Sequence, residues 1–308
     1  MTTQNQNILV ICGPTASGKT SLALKIAGLL PRCNLLSVDS RQIYQDLDLI
    51  TGKDIPADLS PNIKFYGLNL VSPNQIFNVS DFTNYSQKVI ADSLAQNIPL
   101  IIVGGTGLYL QAITSNLLTV HIPPNSVLRN ELEKLDLPSL KKRLRELNPV
   151  KFNSLNNSDV NNPRRLIRAI EITSSNQSPS ANFTEIPTHS FVWIGLSQDK
   201  ELQKENIQKR VQARLKEGAV QEVQSLLKKY RNSKLSIFSS LGVKQILEFL
   251  DQKITKEELI NLWTLAENDY ARRQMVWFRK QPGIIWYDRS KINQLLVEKL
   301  AKVITKND

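Results

Sequence analysis

The sequence predicts an α/β protein: a parallel sheet core, a mostly helical inserted segment and a helical C-terminal part. Three observations carry this. The runs Ile8–Cys12, Leu35–Asp39 and Pro99–Val103 are short and almost unbrokenly apolar, as strands of a parallel sheet covered on both faces must be. After the first and last of these the chain turns through glycines into a helical pattern, the order that brings a ligand to the C-terminal ends of parallel strands. After Pro123-Pro124 the alternation stops, giving way to charged helical sequence until the apolar run Phe191–Leu196 resumes the core.

In chain order, Ile8–Cys12 is the first strand and Ser21–Ala27 reads as the start of a helix. Leu35–Asp39 is the second strand, and Phe65–Val71 reads as a third. Asp81 is positioned to cap a helix running to about Gln96. Pro99–Val103 is followed by Gly104-Gly105-Thr106-Gly107 and a helix over Leu108–Ile113. Ser126–Asn148 reads as charged helix, 153–163 as Asn/Ser-rich loop and Arg164–Thr173 as helix. Ser174–Thr188 reads as a mobile Ser/Pro/Asn-rich stretch. The remainder reads as helices over about 199–230, 240–250, 256–280 and 291–304. The domain reading is a core of residues 1–120 with 191–308, and a helical insertion over 121–190.

A chain of 308 residues with 41% hydrophobic content supports a normal buried core. Two cysteines, Cys12 and Cys33, make neither a disulfide framework nor a metal set, and Cys12 reads as a core residue of a cytoplasmic protein. The polar first seven residues lack the pattern of a signal peptide, and no apolar run approaches a membrane span. The net charge of +11 is unevenly placed: seven Lys/Arg against seven Asp/Glu up to Val120, then 32 against 21. That asymmetry suits a polyanionic partner and equally a solvated lysine-rich surface.

Gly13-Pro14-Thr15-Ala16-Ser17-Gly18-Lys19-Thr20 fits G-x-x-x-x-G-K-[ST] between a strand and a helix, the context that phosphate-binding loops require. The core is therefore expected to be P-loop NTPase-like. In such a loop backbone N–H groups and the helix N-terminus hold phosphate oxygens, Lys19 reaches the outer phosphate, and the Thr20 hydroxyl ligates Mg²⁺. The second strand ends in Asp39-Ser40-Arg41-Gln42-Ile43-Tyr44, where a carboxylate can accept a proton or hold Mg²⁺ through water; a helix N-cap is the structural alternative. The central strand ends in glycines rather than in the Asp common in phosphate-loop ATPases, which leaves Asp39 as the acidic partner. Arg164, Arg165 and Arg168 lie on one helical turn and can grip phosphates or form a solvated face. In Tyr270–Lys280 cations alternate with aromatics; Leu259, Leu262, Trp263, Ala266, Tyr270 and Trp277 follow core spacing, so only the arginines are given to a ligand.

Together these stretches resemble the tRNA dimethylallyltransferase (isopentenyltransferase) family: GPTASGKT (13–20), DSRQIY (39–44), GGTGLY (104–109), NNPRRLIRAIE (161–171), SLGVKQ (240–245) and YARRQMVWFR (270–279), in the family's order. The resemblance implies transfer of a dimethylallyl group from dimethylallyl diphosphate to the exocyclic N6 amine of the adenosine 3′ of the anticodon. Residues 13–20 would hold the diphosphate with Mg²⁺, and Asp39 would be the base. tRNA contacts are implied at Asp39, Ser40, Arg41, Gln42, Thr106, Arg164, Arg165, Leu166, Ile167, Arg168, Ser239, Ser240, Leu241, Gly242, Val243 and Lys244. The partner is then the anticodon stem-loop of tRNA and the enzyme a monomer. The chain departs from the family pattern at Leu49-Ile50-Thr51-Gly52-Lys53-Asp54 (usually I-G-T-A-K-P), at Asn161-Asn162-Pro163 (usually N-D-P) and at Gly242-Val243-Lys244 (usually G-Y-R). With only two cysteines, no zinc finger like that of eukaryotic members is expected, and the resemblance is to the bacterial type.

Other readings are a prenyltransferase of free adenine nucleotides, a P-loop small-molecule kinase or NTPase, and a non-catalytic RNA-binding module. The basic second half favours tRNA over a mononucleotide. The missing acidic residue on the central strand disfavours the kinase, and an RNA-binding module would leave the phosphate loop without purpose.

Overall fold

The six strands β1 (Ile8–Cys12), β2 (Cys33–Val38), β3 (Ile63–Tyr66), β4 (Leu100–Gly104), β5 (Phe191–Ser197) and β6 (Ile285–Asp288) form one sheet in the order β3-β2-β4-β1-β5-β6. All pairings are parallel, and β1 is central, with Val10 opposite Ile102 on one side and Trp193 on the other. The computed structural model describes residues 7–115, 117–175, 191–230 and 235–305. The expected mobile stretch 174–188 lies mostly outside them.

The helices follow as α1 (Lys19–Ala27), α2 (Asp48–Thr51), α3 (Val79–Ala95), α4 (Gly107–Thr114), α5 (Ser126–Leu132), α6 (Leu137–Leu147) and α7 (Pro149–Asn153). Then come α8 (Asn157–Val160), α9 (Pro163–Ser174), α10 (Lys200–Glu217), α11 (Ala219–Lys229), α12 (Val243–Leu250), α13 (Lys256–Phe278) and α14 (Gln294–Thr305).

Every residue of β1 is buried, which is why its sequence is apolar without alternation. Successive side chains serve opposite faces. Val10, Leu36 and Ile102 pack with α3, α4 and α10–α13, whereas Leu9, Ile11, Leu35 and Ile101 pack with α1 and α14. Each such side chain stabilises the fold by roughly 1.5–3 kcal/mol relative to exposure.

Several elements differ from expectation. Asn78, not Asp81, caps α3: its side chain accepts from Ser80 and Asp81 N–H, while Asp81 returns a carboxylate to Asn78 N–H. The helix expected over 126–148 is two, because Asp136 caps a new start with Pro138 in its first turn. The Asn-rich stretch 153–163 is not one loop. Asn148, Asn156 and Asn162 each cap a short helix, so the asparagines punctuate helices. β3 ends at Tyr66, and Val71 makes only a bridge to Tyr44. β6 lies in the gap between the helices expected over 256–280 and 291–304, where no element was expected; it is a four-residue, half-exposed edge strand with too short a pattern to register. On α13, Leu262 is exposed while Trp263 is fully buried.

The chain divides into two compact units, Met1–Ser115 with Ile186–Asp308, and Asn116–Glu185. The second has its own small core of Leu132, Leu140, Leu144, Leu166, Ile167 and Ile170. No helix among the described residues is long and apolar enough to cross a membrane.

Candidate active site

The loops after β1, β2 and β4 meet at the C-terminal edge of the sheet. There they line a cavity of about 350 Å³ with residues of α10 and α13. The phosphate loop supplies Thr15, Lys19 and Thr20; the β2 loop supplies Asp39, Ser40, Arg41 and Gln42. Arg210 and Arg214 come from α10, and Glu267, Tyr270, Arg273 and Gln274 from α13. Lys19, Thr20 and Arg210 also line a second cleft of about 670 Å³ with Lys25, Asp54 and Arg289.

The phosphate loop is tightly constrained. Gly13 has φ +141°, and a Cβ there would lie 2.5 Å from the Leu196 carbonyl oxygen, so only glycine fits beside β5. Ala16 is held at φ 60°, a left-handed conformation that costs free energy without glycine. No side chain caps α1, which leaves its first-turn N–H groups for a ligand. Two of the expected phosphate donors are already used: Thr15 N–H donates to Gln274 Oε1 (2.7 Å) and Ser17 N–H to Pro14 O (3.4 Å).

Lys19 donates to the Pro14 carbonyl at 2.6 Å. Its pKa is lowered to about 8, first by burial and then by Arg210, against the opposing pull of Asp39. Asp39 accepts from Arg41 N–H at 2.8 Å within a turn, so it caps no helix. Its charge reaches Tyr270, whose pKa is raised by burial first and by Asp39 second.

Gln274 joins two loops, accepting from Thr15 and donating to the Gly105 carbonyl at 2.9 Å. One turn away Tyr270 bonds Thr106, whose hydroxyl accepts Ser40 N–H at 3.3 Å. Side chains of α13 and Thr106 therefore brace the β1, β2 and β4 loops against one another. Gln42 spans from Ser37 Oγ (2.6 Å) to the Thr51 and Gly52 carbonyls (3.2 and 2.8 Å). The Glu222 carboxylate anchors α2 by accepting the N–H groups of Asp48, Leu49 and Ile50 at 2.6–2.9 Å. Arg214 pairs with Glu267 (3.5 Å), and burial, then Arg210, lowers its pKa to about 10.

The profile of the IPP transferase family matches residues 42–281. This chain belongs to that family. A tRNA dimethylallyltransferase of Synechococcus elongatus is 33% identical over 302 residues, 96% of each chain. A tRNA isopentenylpyrophosphate transferase from Bacillus halodurans has the same fold with a TM-score of 0.70 at 27% identity, over 97% of this chain and 95% of that one. Its counterpart from Staphylococcus epidermidis gives a TM-score of 0.68 at 26% identity, over 98% and 100%. The P-loop NTPase-like parallel sheet is thus the fold of this chain.

Of the residues singled out from sequence, Thr15, Lys19, Thr20, Asp39, Ser40, Arg41, Gln42, Ser239, Ser240 and Leu241 line the 350 Å³ cavity. Thr106 is not among the lining residues but bonds two that are, Ser40 and Tyr270. Gly242 and Val243 are buried, Gly242 against Trp263, and Lys244 is exposed. In the second unit Leu166 and Ile167 pack in the core, so their side chains are not offered to a ligand. Arg164 is exposed, Arg165 pairs with Asp159, and Arg168 donates to the Thr119 and Ile122 carbonyls (2.9 and 2.6 Å). Of the arginines in Tyr270–Lys280 that were assigned to a ligand, Arg273 lines the cavity, whereas Arg272 pairs with Asp269 and Arg279 is exposed. Tyr270, read as core, is a wall of the site. Arg210, Arg214, Glu267 and Gln274 were missed. For Gln274 and Tyr270 the available signal was their four-residue spacing on one helix face; α10 carries no motif at all.

Proposed function

We propose that this protein transfers a dimethylallyl group from dimethylallyl diphosphate to the N6 amine of the adenosine 3′ of a tRNA anticodon. The observation that carries the proposal is one cavity, in a chain of the IPP transferase family, that joins an anion-binding loop to a carboxylate. Lys19, Thr20, Arg210 and the first turn of α1 face the place for the diphosphate. Three buried polar atoms of the cavity lining, Arg210 Nε, Arg214 Nε and Ser240 Oγ, have no protein partner, which is costly unless a polar ligand satisfies them.

In the reaction the C1–O bond of the allylic diphosphate breaks, a bond forms between C1 and N6, and the amine loses one proton. Lys19 and Arg210 stabilise the negative charge that grows on the departing diphosphate. Asp39, held by Arg41 N–H, takes the proton; a base of this kind contributes on the order of 100- to 10,000-fold. Among the described residues no cluster of three or more His, Cys, Asp or Glu could hold a metal ion. A single hydroxyl from Thr20 with the nearby Asp39 suits Mg²⁺, which keeps waters and takes most of its ligands from a polyphosphate. When bound, Mg²⁺ would supply charge neutralisation of the diphosphate. The adenine reaches a cavity this deep only by leaving its stack. Exposed Arg164 and Arg165 on α9 are the tRNA contacts of the second unit, whereas Arg168 holds that unit's own backbone. The protein works as a monomer in the cytoplasm.

The test is an acceptor assay. The protein is incubated with labelled dimethylallyl diphosphate and, separately, unmodified tRNA, AMP or ATP. Label on tRNA alone is expected. Label on AMP or ATP but not tRNA would replace this reading with the free-nucleotide enzyme, and ATP turnover without prenyl transfer with the kinase.

A further inference from the structure

Both cations at the head of the diphosphate site are occupied by the protein's own oxygens. Lys19 donates to the Pro14 carbonyl. Arg210 Nη1 lies 3.2 Å from Thr15 Oγ1, and Nη2 lies 2.7 Å from Asp54 Oδ2. Asp54 is the last residue of the Leu49–Asp54 departure, standing where the family pattern has proline. Gly52, another departure, lies under the same guanidinium. It has φ +66°, and a Cβ there would approach Arg214 Nη2 to 1.8 Å and Arg210 Nη2 to 2.2 Å. Two replacements in one loop therefore converge on Arg210: one makes room for it, the other supplies it with a counter-ion.

We propose that Asp54 is a positioning residue that competes with diphosphate for Arg210, holding the guanidinium at the boundary of the two clefts until an anion displaces it. The competition follows from geometry and charge. Arg210 lines both clefts, Asp54 only the outer one. Nη1 is on Thr15 and Nη2 on Asp54, and only Nε has no protein partner, so a diphosphate that engages the Nη edge of Arg210 exchanges a carboxylate oxygen for a phosphate oxygen. A carboxylate beside the incoming anion also repels it. The pair is partly exposed, with 27% of the Arg210 side chain and 63% of Asp54 open to solvent, so the effect is moderate and screened by salt. Its consequence is weaker retention of diphosphate, as substrate and as product.

This inference rests on diphosphate binding at the phosphate loop, and the experiment separates the two. Pyrophosphate affinity is measured by calorimetry, with Mg²⁺, for the wild-type protein, Lys19→Ala, Asp54→Asn and Asp54→Pro. The expected result is binding by wild type, its loss in Lys19→Ala, and three- to tenfold tighter binding in both Asp54 variants. The gain should shrink between 50 and 500 mM salt, and KM for dimethylallyl diphosphate should fall with it. Wild-type binding with unchanged or weaker affinity in both Asp54 variants overturns the competition and leaves Asp54 a support for Arg210. Tightening that is independent of salt overturns the electrostatic account. No pyrophosphate binding by wild type overturns both this inference and the diphosphate site.

Discussion

A carboxylate at position 39 has its backbone partner already, Arg41 N–H, so the side chain is oriented before substrate arrives. Asp39→Asn keeps that acceptor and removes the base. The expected outcome is a loss of roughly 100- to 10,000-fold in single-turnover transfer with pyrophosphate affinity within about threefold of wild type. Lys19 gives a pH signature. Its pKa in the folded protein, about 8 against an ordinary 10.5, means that above pH 8 the folded chain binds fewer protons than the unfolded one. The contribution of Lys19 to stability therefore rises with pH between about 8 and 10.5 and is unfavourable below. Its contribution to anion binding runs the other way: pyrophosphate affinity should fall as pH rises through 8, by up to about tenfold per unit. In Lys19→Met pyrophosphate binding should be lost at every pH, as in Lys19→Ala, and the melting temperature below pH 8 should be equal or higher.

At the scale of elements, the braced loops are the most exposed to damage from one substitution. Gln274→Leu removes both partners of its bridge and leaves Thr15 N–H and Gly105 O without them, at a cost of about 1–3 kcal/mol for each group that stays buried. A fall in melting temperature of several degrees, with transfer reduced far more than in an Arg272→Ala control, is expected. The same elements mark how far the sequence was readable. β1, β2, β4 and β5 stood out because burial on both faces leaves apolar runs with no alternation. The edge strand β6 did not, since four half-exposed residues carry no such run. The phosphate loop and Asp39 were visible because glycines, a lysine and a carboxylate sit at strand ends. Arg210 and Gln274 were hidden because an amphipathic helix displays arginine and glutamine on any polar face, and only the packing of α10 and α13 selects the ones that face the cavity.

Across the whole molecule the charge is divided: the N-terminal 120 residues are neutral and the positive excess follows. A diphosphate needs only the few cations at the phosphate loop, whereas a tRNA is recognised along an extended backbone. Arg164→Ala and Arg165→Ala should each weaken tRNA binding across sequences and lower the slope of log affinity against log salt by somewhat less than one. Pyrophosphate affinity should not move. Arg168→Ala should behave differently, because this guanidinium is tied to the Thr119 and Ile122 carbonyls and to the buried Glu171. Its loss should appear first as a lower melting temperature. If Arg164→Ala and Arg165→Ala both keep the wild-type salt slope, α9 presents only a solvated face.

The bond from Thr15 N–H to Gln274 Oε1 also bears on time. Loop amides ordinarily exchange their protons with solvent quickly, and a phosphate-binding loop is expected to slow only when its anion is present. Here the Thr15 proton is held by a side chain 259 residues away before any ligand arrives. It should exchange with deuterium at a rate set by movement of α13 rather than by fluctuation of its own loop. The phosphate loop then loses little freedom on binding, and the entropy of ordering it is spent when the chain folds rather than at each turnover.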